Sequence, residues 1–330
     1  MAARCPRQPD PGGGFIMTVM IDNPVREYAN AAAREARAIR LSVLIPFYKD
    51  DPADLVRALA EQAGSAGDVE ILLHDDGEPD PELNARLTRI IAAMTQPVRL
   101  LTSTRNRGRS GGRNLLAQQA RGEWLLYLDA DMQPGHAAFL DTYREVMSET
   151  RSDAVFGGDE TLWPDDPALQ LHAALSRTSD QNDAEARNAI GASAFCASNI
   201  LVKADVMEAV PYDTDFTGWG WEDVDWAVRA AGRFTLSHVD NPAAHGGLQG
   251  ADVLLAKFKE GAVNYKRLLD RNPELASLPG ARTARLIGRV PGQGLLRGIW
   301  SALSRMNALP LRLRTLALKL WRASWTAEVI

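Results

Sequence analysis

Cysteine is almost missing from this 330-residue chain: only Cys5 and Cys196 occur. Two are too few for a disulfide framework, and neither sits in a C-x-x-C or Cys/His cluster, so a cross-linked secreted scaffold and a zinc module are both excluded. That usage fits a reducing, cytoplasmic compartment. Long hydrophobic runs are missing as well. No stretch reaches the roughly 18 uninterrupted apolar residues of a membrane-spanning helix. The run Phe15 to Ile21, behind Arg4 and Arg7, is short for a signal-peptide core, and no small-residue cleavage site follows it. Residues 1 to about 20, rich in Pro and Gly, read as a disordered leader, with Met17 or Met20 as alternative starts.

Positive charge is scarce over most of the chain. The formal net charge is −5, but from Leu275 onwards nine Lys and Arg face one acid, Glu328; that segment carries +8 and the preceding 274 residues −13. An acidic body excludes general nucleic-acid binding, whereas a basic tail asks for an anionic partner.

What is present is an alternation of short apolar runs with helical periodicity. Leu41 to Tyr48, Val69 to Leu73, Val98 to Thr102 and Trp124 to Leu128 read as buried strands. Helices are expected after Pro52, from Pro81 to Met94 and from Gly112 to Ala120. Strands apolar throughout, alternating with helices, predict a parallel sheet covered on both faces. Ligands in such sheets sit at the carboxyl ends of the strands. The polar clusters Asp75-Asp76, Asn106 to Arg113 and Asp129-Ala130-Asp131 fall at those ends. Beyond Ala251 the chain reads as helical, interrupted at Pro273, Pro279, Pro291 and Pro310. The resulting division is 1–37 leader and short helix, 38–250 catalytic-type domain, and 251–330 helical basic region.

D-x-D occurs three times, at Asp129–Asp131, Asp213–Asp215 and Asp223–Asp225. Only the first follows an apolar strand directly, which puts two carboxylates at the sheet edge, where Mg²⁺ or Mn²⁺ shared with substrate phosphates is a natural occupant. A helix cap before Pro134 is the plainer alternative. Asp213–Asp215 reads as a turn after Pro211. The loop Asn106 to Asn114 combines three glycines and three arginines before a helix, which suits a diphosphate, or else makes a flexible basic loop. Phe216 to Arg229, F-T-G-W-G-W-E-D-V-D-W-A-V-R, sets two tryptophans beside adjacent acids: flat faces for sugar rings and a carboxylate to take a hydroxyl proton. Acids favoured by a helix N-terminus explain the carboxylates but not the tryptophans.

The order L-S-V-L-I-P-F-Y, H-D-D-G, N-R-G-R-S-G-G-R-N and G-E-W-L-L-Y-L-D-A-D-M over residues 40–250 resembles the inverting family-two glycosyltransferases of GT-A fold, an α/β Rossmann-like sheet. The resemblance implies that Asp76 contacts the donor base against a wall of Pro46, Phe47 and Tyr48. It places Asp129 near the ribose and diphosphate, Asp131 on the metal, and Arg113 and Asn114 in the donor site. Lys49 departs from the family's usual Asn. W-G-W-E-D is similar to the W-G-G-E-D element of β-1,4-galactosyltransferases. On that likeness Asp223 is the catalytic base, Glu222 holds the acceptor, Trp219 lines the sugar site on both the donor and acceptor sides, and Trp221 stands where the second Gly would be. Enzymes with this element often bring a histidine to the metal from the position of His245. The implied reaction is a single displacement with inversion, from a nucleotide-sugar (a UDP-sugar) to a glycan or glycolipid hydroxyl, with Mn²⁺ or Mg²⁺.

Two other readings compete. A sugar nucleotidyltransferase would carry a Gly-rich loop after the first strand, where this chain has Y-K-D-D-P. A carbohydrate-binding or scaffold protein would not need Asp131, Glu222, Asp223 and His245 together. The tail adds an expectation of its own. Leu295, Ile299, Leu303 and Met306, then Leu313, Leu316, Leu320 and Trp321, recur at helical spacing among Arg297, Arg305, Arg312, Arg314, Lys319 and Arg322, with Trp300, Trp321 and Trp325 nearby. That composition fits an interfacial helix on an anionic membrane, which would make the protein peripheral on the cytoplasmic face. Packing of these helices on the catalytic domain is the alternative.

Overall fold

The computed structural model describes residues 16–18, 23–179 and 182–330. The elements in chain order begin with β1 (Ile16–Thr18), β2 (Val25–Ala29), α1 (Ala31–Glu35), β3 (Leu41–Phe47), α2 (Ala53–Ala63), β4 (Val69–Asp75), α3 (Pro81–Ala92), β5 (Val98–Ser103) and α4 (Gly108–Gln119). They continue with β6 (Trp124–Leu128), β7 (Met132–Pro134), α5 (Phe139–Glu149), β8 (Ala154–Phe156), β9 (Asp159–Thr161), α6 (Gln170–Ser179) and α7 (Ala184–Ile190). Then come β10 (Asn199–Lys203), α8 (Ala204–Ala209), α9 (Glu222–Ala231), β11 (Leu236–His238) and β12 (Ala243–His245), and finally α10 (Ala251–Arg271), α11 (Pro279–Gly288), α12 (Gln293–Arg305) and α13 (Leu311–Val329).

The main sheet runs β1-β2-β5-β4-β3-β6-β10-β8-β11, and a small sheet runs β7-β12-β9. β5, β4, β3 and β6 are parallel; β2 and β10 add antiparallel edges to this core. Because strand side chains alternate, each apolar strand feeds two cores. Val43, Ile45, Ile71 and Leu73 pack with α2, α3 and α5, while Leu44, Leu72, Leu125 and Tyr127 pack with α4, α8 and α9. This is the mostly parallel α/β arrangement expected from the GT-A resemblance. The chain moves outwards from β3 to β4 and β5, then returns to place β6 on the other side of β3. That switch point opens a crevice at the carboxyl ends of β3 and β6.

The short helix expected near residue 37 is α1, capped by Asn30. Ahead of it, β2, a strand with no forecast in the sequence reading, pairs with β5 on one side and β1 on the other. The leader, residues 1 to about 20, falls outside the described residues except for β1. Among the described residues, no helix is long and apolar enough to cross a membrane.

The C-terminal helices pack on the α/β body rather than trailing from it. Leu254, Leu255 and Phe258 of α10 and Leu318 of α13 share a core with Leu171 and Leu175 of α6. Tyr265 and Leu268 of α10 pack against Phe216 and Val224.

Candidate active site

A cavity of about 520 Å³ opens at the carboxyl edge of the sheet, and it draws its lining from distant stretches of chain, among them Asp129, Asp131, Trp219, Asp223, His245 and Lys257. Asp129 and Asp131 follow β6. Asp131 Oδ2 lies 3.3 Å from Nε2 of His245, at the end of β12. Burial alone would raise the Asp131 pKa, but the hydrogen bond and charge of His245 hold it below the usual carboxylate value, while Asp131 in turn raises His245. A Cβ on Gly247 would fall 1.9 Å from Asp131 Oδ2, so the glycine is what leaves room at that carboxylate. Among the described residues, no group of three or more His, Cys, Asp or Glu is placed to hold a metal ion. The pair instead offers one oxygen and one nitrogen ligand, a partial set of the kind that Mg²⁺ or Mn²⁺ completes with substrate phosphates and water.

The opposite wall is the start of α9. Trp221 caps it in the left-handed conformation, φ 76°, just after Gly220 at φ 85°. A residue with a side chain rarely adopts that geometry. Its ring is held 4.4 Å from Tyr265, with the Arg322 guanidinium 4.9 Å away. This backbone turn presents Glu222 and Asp223 to the crevice. Glu222 is buried and bonded to Arg113; Asp223, half-buried, accepts from the backbone N–H of Val224 at 2.8 Å. Burial, then the charge of Glu222, pushes Asp223 up to about 6. A carboxylate with that pKa is poised to exchange a proton near neutrality. The third D-x-D divides in function, because Asp225 is buried and bonded to Arg229 at 2.7 Å.

The donor-side residues do not all reach open space. Asp76 is buried; it accepts from the Arg107 N–H at 2.6 Å, and burial pushes it up to about 6. Tyr48 is exposed and Pro46 half-buried, whereas Phe47 points into the core beneath them. Helix α4 begins four residues earlier than expected, and this changes the meaning of the Gly-rich loop. Gly112 lies inside the helix, where a Cβ would come 3.1 Å from His74 Nδ1; the missing side chain lets the helix sit against the sheet. The Arg107 N–H goes to Asp76 and that of Gly108 to Asn106 Oδ1, so those amides are not left for a diphosphate.

Arg113 is fully enclosed. It bridges Asp129 at 2.6 Å and Glu222 at 3.2 Å, and these two acids hold its pKa above the ordinary value despite the burial that would lower it. It therefore fixes the β6 edge to α9. Asn114 bonds both ways to the backbone of Tyr212, at 2.8 and 2.9 Å, so its amide is taken up by a chain crossing.

Four residues to which the sequence reading gives no part in the site, His172 as a structural histidine and Arg322 as a tail cation among them, face the same cavity. Arg109, 3.7 Å from Glu222, is the exposed cation of the α4 start. Lys257 comes from α10, and its pKa is lowered by burial and then by Arg109. His172 stacks edge-on to His245 at 5.5 Å and accepts from the Gln249 N–H. Arg322 reaches the cavity from α13. Only Arg109 carried a local signal, as one of three arginines in the loop.

Residues 42–199 match the family model described as Glycosyl transferase family 2. No curated protein sequence matches the chain. Among solved structures, the fold is similar to the mannosyltransferase PcManGT from Pyrobaculum calidifontis, in complex with GDP-Man and Mn²⁺ (TM-score 0.57, 17% identity, 88% of each chain covered). It is also similar to S. aureus TarS 1–349 in complex with UDP-GlcNAc (TM-score 0.51, 15% identity, 88% of this chain and 90% of that one).

Proposed function

We propose, from the match of residues 42–199 to the Glycosyl transferase family 2 model, that this chain is a glycosyltransferase that moves a sugar from a UDP-sugar to a hydroxyl of a glycan or glycolipid, by single displacement with inversion. The observation that carries this reading is one cavity with the Asp131–His245 pair on one wall and Asp223, with its raised pKa, on the other.

In this mechanism the base lies against Tyr48 and Asp76. Asp131 and His245 would hold Mn²⁺ or Mg²⁺, which would neutralise charge developing on the diphosphate. The relative solved with GDP-Man and Mn²⁺ supports such an ion here. Arg109 and Lys257 supply mobile positive charge to the same region, a role that Arg113, locked between two acids, leaves to them. Trp219 lines the cavity on the side of the sugars, a role that Trp221, its ring taken up by Tyr265 and Arg322, leaves to it. Asp223 takes the proton from the acceptor hydroxyl as its oxygen attacks the anomeric carbon. Arg113, by tying Asp129 to Glu222, fixes the spacing between donor and acceptor walls. The donor base follows from the family resemblance and from the relative bound to UDP-GlcNAc, and it is the finest part of the proposal.

The direct test is metal-dependent release of nucleoside diphosphate from a panel of UDP- and GDP-sugars, with product stereochemistry read by NMR. Retention of the anomeric configuration would overturn the single displacement. Binding of sugars with no release from any donor would favour the carbohydrate-binding alternative.

A further inference from the structure

The C-terminal helices have two faces of opposite character. On the inner face, α12 and α13 run antiparallel and are bonded along their length. Arg297 Nε donates to Ser324 Oγ at 2.8 Å, Ser324 Oγ to Gln293 Oε1 at 2.6 Å, and Arg314 Nε to the Ser304 carbonyl at 3.1 Å. The tryptophans turn the same way. Trp321 Nε1 donates to the Leu255 carbonyl of α10, and Trp325 lies between Arg297 and Lys259, 4.0 and 4.4 Å from its ring. Arg322 is at the cavity wall. Trp321 and Trp325 thus follow the packing alternative and hold the helices on the rest of the chain.

Positions 293, 297 and 304 thus mark the inner side of α12. Each residue advances about 100° round a helix, so Leu295 and Ile299, two positions beyond 293 and 297, face the other way, and Met306 follows just past the end of the helix. They are 74%, 45% and 48% exposed. Leu286 and Val290, before α12, and Leu313 and Leu316, after it, are exposed as well. Arg282, Arg289, Arg312 and Lys319 are exposed on the same three helices and their connections, while the single acid of the segment, Glu328, is paired with Arg297. An apolar stripe rimmed by cations is an interaction surface. A second copy of this chain related by a twofold would set these arginines against themselves, with no acid of the segment free to answer them. An anionic lipid surface supplies the missing charge and accepts the leucines.

We infer that the outer face of α12, with its flanking residues in α11 and α13, docks the enzyme on an anionic membrane. Arginines meet headgroup phosphates, and Leu295 and Ile299 enter the interfacial zone. The inference deepens the reading of a glycolipid acceptor, for which a docked enzyme meets its substrate in the bilayer plane, but its test does not depend on turnover.

The test is co-sedimentation of the full chain with phosphatidylcholine vesicles, with and without phosphatidylglycerol, at low and high salt. Binding is expected only with phosphatidylglycerol, and it should weaken with salt. One basic residue at such a surface is worth roughly fivefold in partitioning, so the pair Arg289→Glu/Arg312→Glu should weaken binding roughly 25-fold or more. Leu295→Glu/Ile299→Glu should remove it, with circular dichroism, thermal midpoint and vesicle-free donor hydrolysis unchanged. Failure of the intact chain to bind phosphatidylglycerol vesicles at low salt overturns the inference, as does normal binding by Leu295→Glu/Ile299→Glu. A dimer in sedimentation velocity that this variant dissociates assigns the face to a second copy instead. Intact vesicle binding without transfer to any lipid-linked acceptor would fault the acceptor and leave the docking in place.

Discussion

At the amino ends of β3, β4 and β5 the buried charges close upon one another, and at the carboxyl ends of the same strands they do not. Glu70, fully buried in β4, accepts from Ser42 Oγ at 2.7 Å and the Arg121 N–H at 2.8 Å, and lies 3.4 Å from Arg99. Arg99 continues to Glu27 at 2.7 Å. Every charge there has an opposite partner and no cavity is needed. At the other end Asp76 and Asp223 are both pushed up to about 6 by burial, and Asp131 pairs with His245, while Arg109 acts on it through its charge alone. Buried charge that is fully answered holds a fold together; charge left partly unanswered beside a crevice is a site. The dividing line is visible even within one motif, since Asp223 faces the cavity and Asp225, two residues on, is bonded to Arg229.

The sharpest way to break this comparison is to remove one acid from each end. Asp223→Asn keeps the shape but cannot take a proton; turnover should fall roughly 10²–10⁴-fold with donor affinity and thermal midpoint little changed. A near-normal turnover number would rule Asp223 out as the base. Glu70→Ala should do the reverse. It leaves Ser42 Oγ and the Arg121 N–H without their buried acceptor, although Arg99 keeps Glu27, and costs about 1–3 kcal/mol, read as a loss in urea unfolding, while activity per folded molecule is retained. Should Glu70→Ala fold as stably as the parent, the amino-end cluster is not the tie described here.

Asp131→Ala should weaken metal-dependent donor binding by at least the roughly 10–100-fold that loss of a supporting group costs at a metal site. Chelator should do the same to the parent chain. Asp213→Ala, in the turn bonded to Arg271, should leave binding nearly intact. Equal binding by parent and Asp131→Ala in titration calorimetry would remove the metal assignment.

The pH profile sharpens the contrast further. Asp223 acts as a base only when ionised, so with a folded-state pKa of about 6 the turnover number should rise with pH, roughly tenfold per unit below 6, and level off above it. A flat turnover profile between pH 5 and 7 would contradict this. The smallest effect concerns the left-handed cap of α9. Trp221→Ala and Trp221→Gly both lose the ring contacts to Tyr265 and Arg322, but only glycine is at ease at φ 76°. Gly should therefore be the more stable of the two by about 1 kcal/mol in urea unfolding. The opposite order would mean that the ring, and not the backbone, sets the cost of this position.

Much of the frame could be read from the chain. Uninterrupted apolar runs give β3, β4, β5 and β6 within two residues, because strands covered on both faces need no polar alternation. Lys49 and Trp221, which stand where the two resemblances lead one to expect Asn and Gly, are the non-glycine residues with positive φ among those described, at 65° and 76°. Asn and Gly tolerate this geometry best. Lys49 bonds through its N–H to Glu78 and Trp221 through its ring, and those contacts offset the unfavourable conformation.

The amino-acid sequence determined the residue types at the strand ends: the D-D-G, D-A-D and W-G-W-E-D segments and the histidine after the last strand. It did so because carboxylates, imidazole and indole have the same chemistry wherever the chain puts them. Direction and company were decided by the tertiary structure. Whether Arg113 faces a phosphate or two acids depends on which side of α4 meets the sheet, and that changed when the helix began at Gly108. Lys257 and Arg322 could not be linked to Asp131 or Trp221 by any local pattern, since well over a hundred residues separate Asp131 from Lys257 and α13 must fold back to bring Arg322 to the cavity. The same packing divided one amphipathic tail into an inner face of Trp and Arg and an outer face of Leu, Ile and Arg. Periodicity fixes which residues share a side of a helix; only the neighbouring helices decide which side is buried.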